Sequence, residues 1–155
     1  MYSSNAYSAS ASFTPAANSH TAGDSVGVAA EFKLLNMVGS APSTGAGLMI
    51  TSASLMIADA TAAATAWRLY LFNVTPPSAL ADDAAFVLAS GDRASFLGYV
   101  DIGTAVDLTD TQWVETHSIN KQIKLSGTSV FGYLVNLTTL TPAAVAHTVT
   151  LHVIC

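Results

Sequence analysis

Charge is scarce in this sequence. Asp, Glu, Lys and Arg make up 10% of its 155 residues, against about 25% in an ordinary soluble domain. A surface with so few charges must consist largely of Ser, Thr, Ala and Gly, or be covered by other subunits. Cations are scarcest: Lys33, Arg68, Arg93, Lys121 and Lys124 are scattered along the chain. Phosphate binding needs several clustered cations, so at a net charge of −5 nucleic acid is not an expected partner. The one cysteine, Cys155, excludes a disulfide within the chain. The start, MYSSNAYSASASF, lacks the basic and apolar regions of a secretory signal. There is no run of about 18 apolar residues, so no membrane span or membrane partner is expected. Neither a Gly-x-Ser-x-Gly elbow nor a phosphate-cradling glycine loop is present.

What the sequence does have is alternation. A chain of this length fits one domain with a real core. Residues 1–24 are rich in Ser, Ala and Asn. Such residues bury little apolar area to offset ordering entropy. They read as an extended N-terminal arm, ordered only against another chain, or as a plain disordered tail. Residues 25–155 read as a single β domain. Strands are expected at residues 31–38, 48–57, 67–72, 95–102, 111–118, 121–125, 130–137 and 147–154. The alanine-rich stretch 58–66 has no caps and no helical stripe, and reads as a loop.

In WRLYLF, Trp67, Leu69 and Leu71 share one face and Arg68, Tyr70 and Phe72 the other, so neither face simply meets water. In SFLGYVDI, Phe96, Gly98, Val100 and Ile102 fall on one side. The last two strands are expected to pair. Leu69, Leu71, Val100, Tyr133, Val135, Val149 and Leu151 are the expected core. About eight strands with turns between them mean an antiparallel β-sandwich or barrel. An eight-strand jelly roll fits the count.

Candidate chemistry is thin. His147 and His152 point to opposite faces of one strand and cannot share a metal. Glu115 and His117 share a face but lack a third ligand. GDSV, residues 23–26, resembles the nucleophile block of one lipase family, but the chain has no α/β pattern, so a turn is the expected reading. Asp82, Asp83 and Asp92 sit in one loop and would offer oxygen ligands to calcium, though their spacing matches no EF-hand. ALADDAAF reads as one helical turn, and SGDR as a tight turn whose Arg93 can meet Asp92 or another carboxylate. Asn73 and Asn136 head glycosylation sequons, relevant only in a eukaryotic secretory pathway. No catalytic, cofactor or metal residues are assigned.

The run RLYLFNVTPPSALADDAAFVLASGDRASFLGYVDIG, followed by INKQIKLSGTSVFGYLV and LTPAAVAHTVTLH, resembles a group of small tailed-phage virion proteins of the capsid decoration or cement type. The resemblance spans residues 25–153. It implies a β-sandwich or jelly roll, sitting as a homotrimer on the capsid surface against the major capsid protein, with no enzyme activity and no cofactor. It also suggests a role for residues 73–93. Pro76 and Pro77 stiffen this connection, and a stiff loop loses less entropy on docking. The expected partner-binding residues are Pro76, Pro77, Phe86 and Leu88, joined by Tyr2, Tyr7 and Phe13 of the arm. The connection could equally cap its own sandwich. The alternative function is a carbohydrate-binding head or tail-fibre adhesion module. Trp67, Tyr70, Tyr99, Trp113 and Tyr133 would supply its stacking faces, unless Trp67 and Trp113 are both buried, as expected.

Overall fold

A computed structural model describes residues 5–59 and 65–155. Its strands are β1 (Ala6–Phe13), β2 (Ser25–Lys33), β3 (Leu35–Asn36), β4 (Gly47–Ile57), β5 (Ala66–Phe72), β6 (Phe96–Thr104), β7 (Val106–Asp107), β8 (Gln112–Lys124), β9 (Ser129–Asn136) and β10 (His147–Ile154). A short 3-10 turn covers Ser90–Asp92. The expected loop at 58–66 falls largely on residues 60–64, outside the described residues.

The strands form two antiparallel sheets packed as a β-sandwich. One runs β3-β1-β10-β4-β8-β7 and the other β2-β9-β5-β6. Omitting the two-residue strands β3 and β7, the pairing is nested: first with last, second with second-last, and so inward. Only Leu34 separates β2 from β3, and only Ala105 separates β6 from β7; both are buried. At each of these points a nearly continuous extended run passes from one sheet to the other.

Alternation explains the core. Ala9, Ala11 and Phe13 of β1, Leu55 and Ile57 of β4, Trp67, Leu69 and Leu71 of β5, and Val149, Leu151 and Val153 of β10 all point inward and are buried. All seven expected core residues are buried. Tyr133 and Val135, however, lie on the opposite face of β9 from the buried Leu134. Tyr133 pairs with Tyr70 and Val135 with Arg68, whereas Leu134 pairs with the inward Leu69.

Several expectations need correction. The arm is, from residue 5 onward, part of the sandwich: β1 pairs with β10 along its whole length, from Ala6 to Phe13. Serines on one face and Ala9, Ala11 and Phe13 on the other make it a half-buried strand. β9 and β10 do not pair; β9 lies between β2 and β5, and β10 between β1 and β4. The two short strands expected at 111–118 and 121–125 are one strand, β8, with an irregularity near Ser118 and Asn120, both at positive φ. The strand expected at 31–38 begins earlier, at Ser25, and its end is a turn. There Asn36 Oδ1 accepts from the amides of Val38 and Ser40. Phe96 leaves the face of Val100 because a bulge places it opposite Phe72.

Candidate functional site

Residues 73–93, expected either to dock on a partner or to cap their own sandwich, lie in the connection between β5 and β6. This connection lies over the outer face of the four-stranded sheet. Tyr133 Oη accepts from the Leu80 amide and donates to the Ser78 carbonyl, each at 3.1 Å. Phe86 stacks on Tyr70 with ring centroids 3.7 Å apart. The backbone then ties residues 81–86 to 23–25. Ser25 N donates to Ala84 O, Asp83 N to Ser25 O, and Phe86 N to Gly23 O. Ser25 Oγ donates to Ala81 O at 2.6 Å, which gives the serine of GDSV a structural partner. Phe72, Tyr133 and Val135 thus form a second apolar layer beneath the connection.

The expected docking residues are therefore largely used within the chain. Phe13 is buried beside Phe32, with centroids 6.2 Å apart. Pro76 is buried, Tyr7, Phe86 and Leu88 are half-buried, and Pro77 is exposed. Tyr2 lies outside the described residues. The expected short helix at ALADDAAF is absent; these residues form turns, with Asp83 in the left-handed region at φ 64°.

His20, read as part of a flexible arm, is wholly buried. Its Nε2 lies 3.0 Å from Asp82 Oδ1, and its Nδ1 lies 3.1 Å from the Asn18 carbonyl. Its backbone exchanges two hydrogen bonds with Leu140. Asp82 also accepts from the amides of Gly27, at 2.6 Å, and Ala16, at 2.7 Å. Asp83 accepts from Asn18 Nδ2 at 2.6 Å. Burial opposes ionisation of Asp82, but the Ala16 amide, His20 and the Gly27 amide outweigh it and hold its carboxyl below the ordinary range. Gly27 is required here. At φ +73° it favours glycine, and a Cβ would stand 3.0 Å from Thr14 N. This junction joins segment 14–24, β2, the connection and the β9–β10 loop. Sequence reasoning missed it because His20 and Asp82 are 62 residues apart.

Replacing Asp82 by Ala strands two backbone amides and a buried ring. We expect a loss of about 3 kcal/mol, read as a lowered urea midpoint with an unchanged slope.

The remaining candidates do not converge. Asp92 is buried and accepts from the Ser78 amide at 3.1 Å. Arg93 is exposed and makes no ion pair among the described residues. Glu115 and His117 lie 3.6 Å apart on the surface. Among the described residues no group of three metal-ligating side chains comes together. Asn136 is buried, with Nδ2 donating to Thr21 O and Thr138 O, so its sequon is closed in the folded chain. Of the five aromatics proposed as stacking faces, Trp67 and Tyr133 are buried and Tyr70 lies under Phe86. The Arg68 guanidinium covers Tyr99 at 4.0 Å. Trp113, expected in the core, is 37% exposed, because its neighbours Gln112 and Val114 take the inward register.

Trp113 belongs to the outer face of the six-stranded sheet. Residues directly paired across strands share a face. One row runs Ser12, Thr148, Met56, Trp113, Val106. The next is Ser10, Thr150, Ser54, Glu115, and the third is Ser8, His152, Ser52, His117. The hydroxyls pair with one another, Ser10 with Thr150 at 2.7 Å and Ser12 with Thr148 at 3.1 Å. In these three rows the only carboxylate or cation of Asp, Glu, Lys or Arg type is Glu115. Met56 and Val106 are 45% and 62% exposed beside Trp113.

Comparison with known proteins found no family model that matches the chain and no curated protein that matches it.

Proposed function

We propose that this chain is a non-enzymatic structural protein of a tailed-phage virion, decorating or cementing the capsid as a homotrimer through contacts with the major capsid protein. The observation that carries this reading is the outer face of the six-stranded sheet. It is a nearly uncharged field of hydroxyls edged by the apolar row Met56, Trp113 and Val106. Exposed apolar patches mark contact sites, and the cores of protein interfaces are depleted in charge and enriched in Trp and Met. The nested strand order of the β-sandwich suits a jelly roll, and it supports the reading through the resemblance noted above. Each contact adds about 25 cal/mol per Å² of apolar area, less ordering costs. Repetition around a shell turns modest contacts into avidity.

The carbohydrate reading keeps Trp113 and Tyr99, the latter already carrying the Arg68 guanidinium, but loses the platform of five aromatics it requires. Specific binding on a glycan array would promote it.

Cryo-electron microscopy of the particle tests the proposal. Density for this chain on the capsid surface is expected; its absence from the particle, or its presence inside the tail, overturns the proposal. The double change Met56→Ser and Trp113→Ser should leave the melting curve nearly unaltered. Affinity for the shell should drop about tenfold, or 1.4 kcal/mol, measured by titrating the protein onto undecorated particles.

A further inference from the structure

The buried ring of His20 faces two oxygen acceptors. Asn18 presents a backbone carbonyl to Nδ1, and Asp82 presents a carboxylate oxygen to Nε2. A neutral imidazole carries a single N–H and can satisfy one of them. Two backbone amides already donate to Asp82, which favours its ionised form. The geometry therefore calls for a doubly protonated ring beside an ionised carboxylate. Its backbone pairing with Leu140 anchors the segment that carries the ring, and the ring itself is wholly buried.

We propose that His20 is a proton-dependent latch. As an imidazolium it ties the Asp82–Asp83 turn to the body of the sandwich. On losing a proton it loosens residues 81–86 from β2 and from the face they cover. The charged groups around it are consistent with this role. Asp82 and Asp83 come from the connection, with Asp83 Oδ1 3.9 Å from Nδ1. The Asp24 carboxylate is taken by the amide and hydroxyl of Thr21. From β10, His147 lies near enough for its charge and that of His20 to disfavour one another.

Burial works against the charge on His20, but the Asp82 hydrogen bond, the Asn18 carbonyl and the two aspartates outweigh it and raise its pKa above 6.5. The stabilisation is then complete below about pH 6.5, the unfolded value. It is lost as pH rises through the folded value. Between the two, the unfolding constant rises about tenfold per pH unit. His147 acts in the opposite sense: burial lowers its pKa, so its contribution is lost as pH falls below the unfolded value. Subtracting the profile of a His20→Gln variant removes the His147 effect.

The test is pH-dependent hydrogen exchange on the full chain, corrected for intrinsic rates. The reporters are the amides of Gly27, Ser25 and Phe86, bonded to Asp82, Ala84 and Gly23. Their protection should fall steeply above pH 6.5 in the wild type, while that of Leu134 in β9 holds. In His20→Gln the fall should vanish. If that variant does not fold, nitrogen NMR of the wild type decides: both ring nitrogens of His20 should be protonated at pH 6. A singly protonated ring at pH 6 overturns the latch. So does the same loss of protection in wild type and variant.

Discussion

Leu151→Asp yields no folded protein. Leu151 is buried at the centre of β10, which is itself the third of six strands. It is paired on one side with Ala9 and on the other with Ala53, both buried. A carboxylate there has no cation to meet, since the neighbouring inward positions are Val149 and Val153. The change removes a buried side chain and adds a desolvated charge, at a cost of about 5 kcal/mol or more. That is comparable to the whole stability of a typical domain, about 5–15 kcal/mol. Loss of the β signal in circular dichroism and recovery only in the insoluble fraction are expected. The same holds for Val149→Asp. Soluble, cooperatively melting protein from either variant would contradict the register of β10.

A chain lacking residues 1–13 is also expected to fail. Had this segment been an arm, its removal would leave an intact sandwich with weakened docking. As β1, it covers one edge of β10 along eight paired positions and contributes Ala9, Ala11 and Phe13 to the core. Removing the Phe13 ring alone should cost about 3–5 kcal/mol. The truncation also leaves β10 with an unpaired apolar edge, a template for aggregation. Thermal unfolding of purified Phe13→Ala, with the truncated chain beside it, checks both. A truncated protein that melts like the full one would restore the arm reading.

Strands with bulky alternation were readable from the sequence. β5, β9 and β10 announce themselves through Leu69, Val135 and Leu151 and their neighbours, because a period of two over large side chains has one simple reading. β1 has the same period, but Ala9 and Ala11 carry little apolar area and Ser8, Ser10 and Ser12 suit disorder as well as a strand. What makes it a strand is β10, 140 residues away at the Ser10–Thr150 pair. β5 did carry a signal for the second layer, since Tyr70 and Phe72 are too bulky for a wet face. Which segment covers them, the connection or a partner, depends on contacts such as Tyr133 with Ser78 and Leu80. The His20–Asp82 junction left no local trace, as each residue alone is an ordinary polar residue in a loop.

The nested pairing sets an order in time. β10 lies between β1 and β4, so the six-stranded sheet cannot close until residues 147–154 have left the ribosome. Until then β1 and β4 wait as separate pieces, each with an open edge. Contacts between distant parts of a chain form slowly, because the loop between them must be closed first. Exposed edges in the interval invite wrong partners. Synthesis at lower temperature, or with abundant holding chaperones, should therefore raise the yield of native protein without changing its final stability.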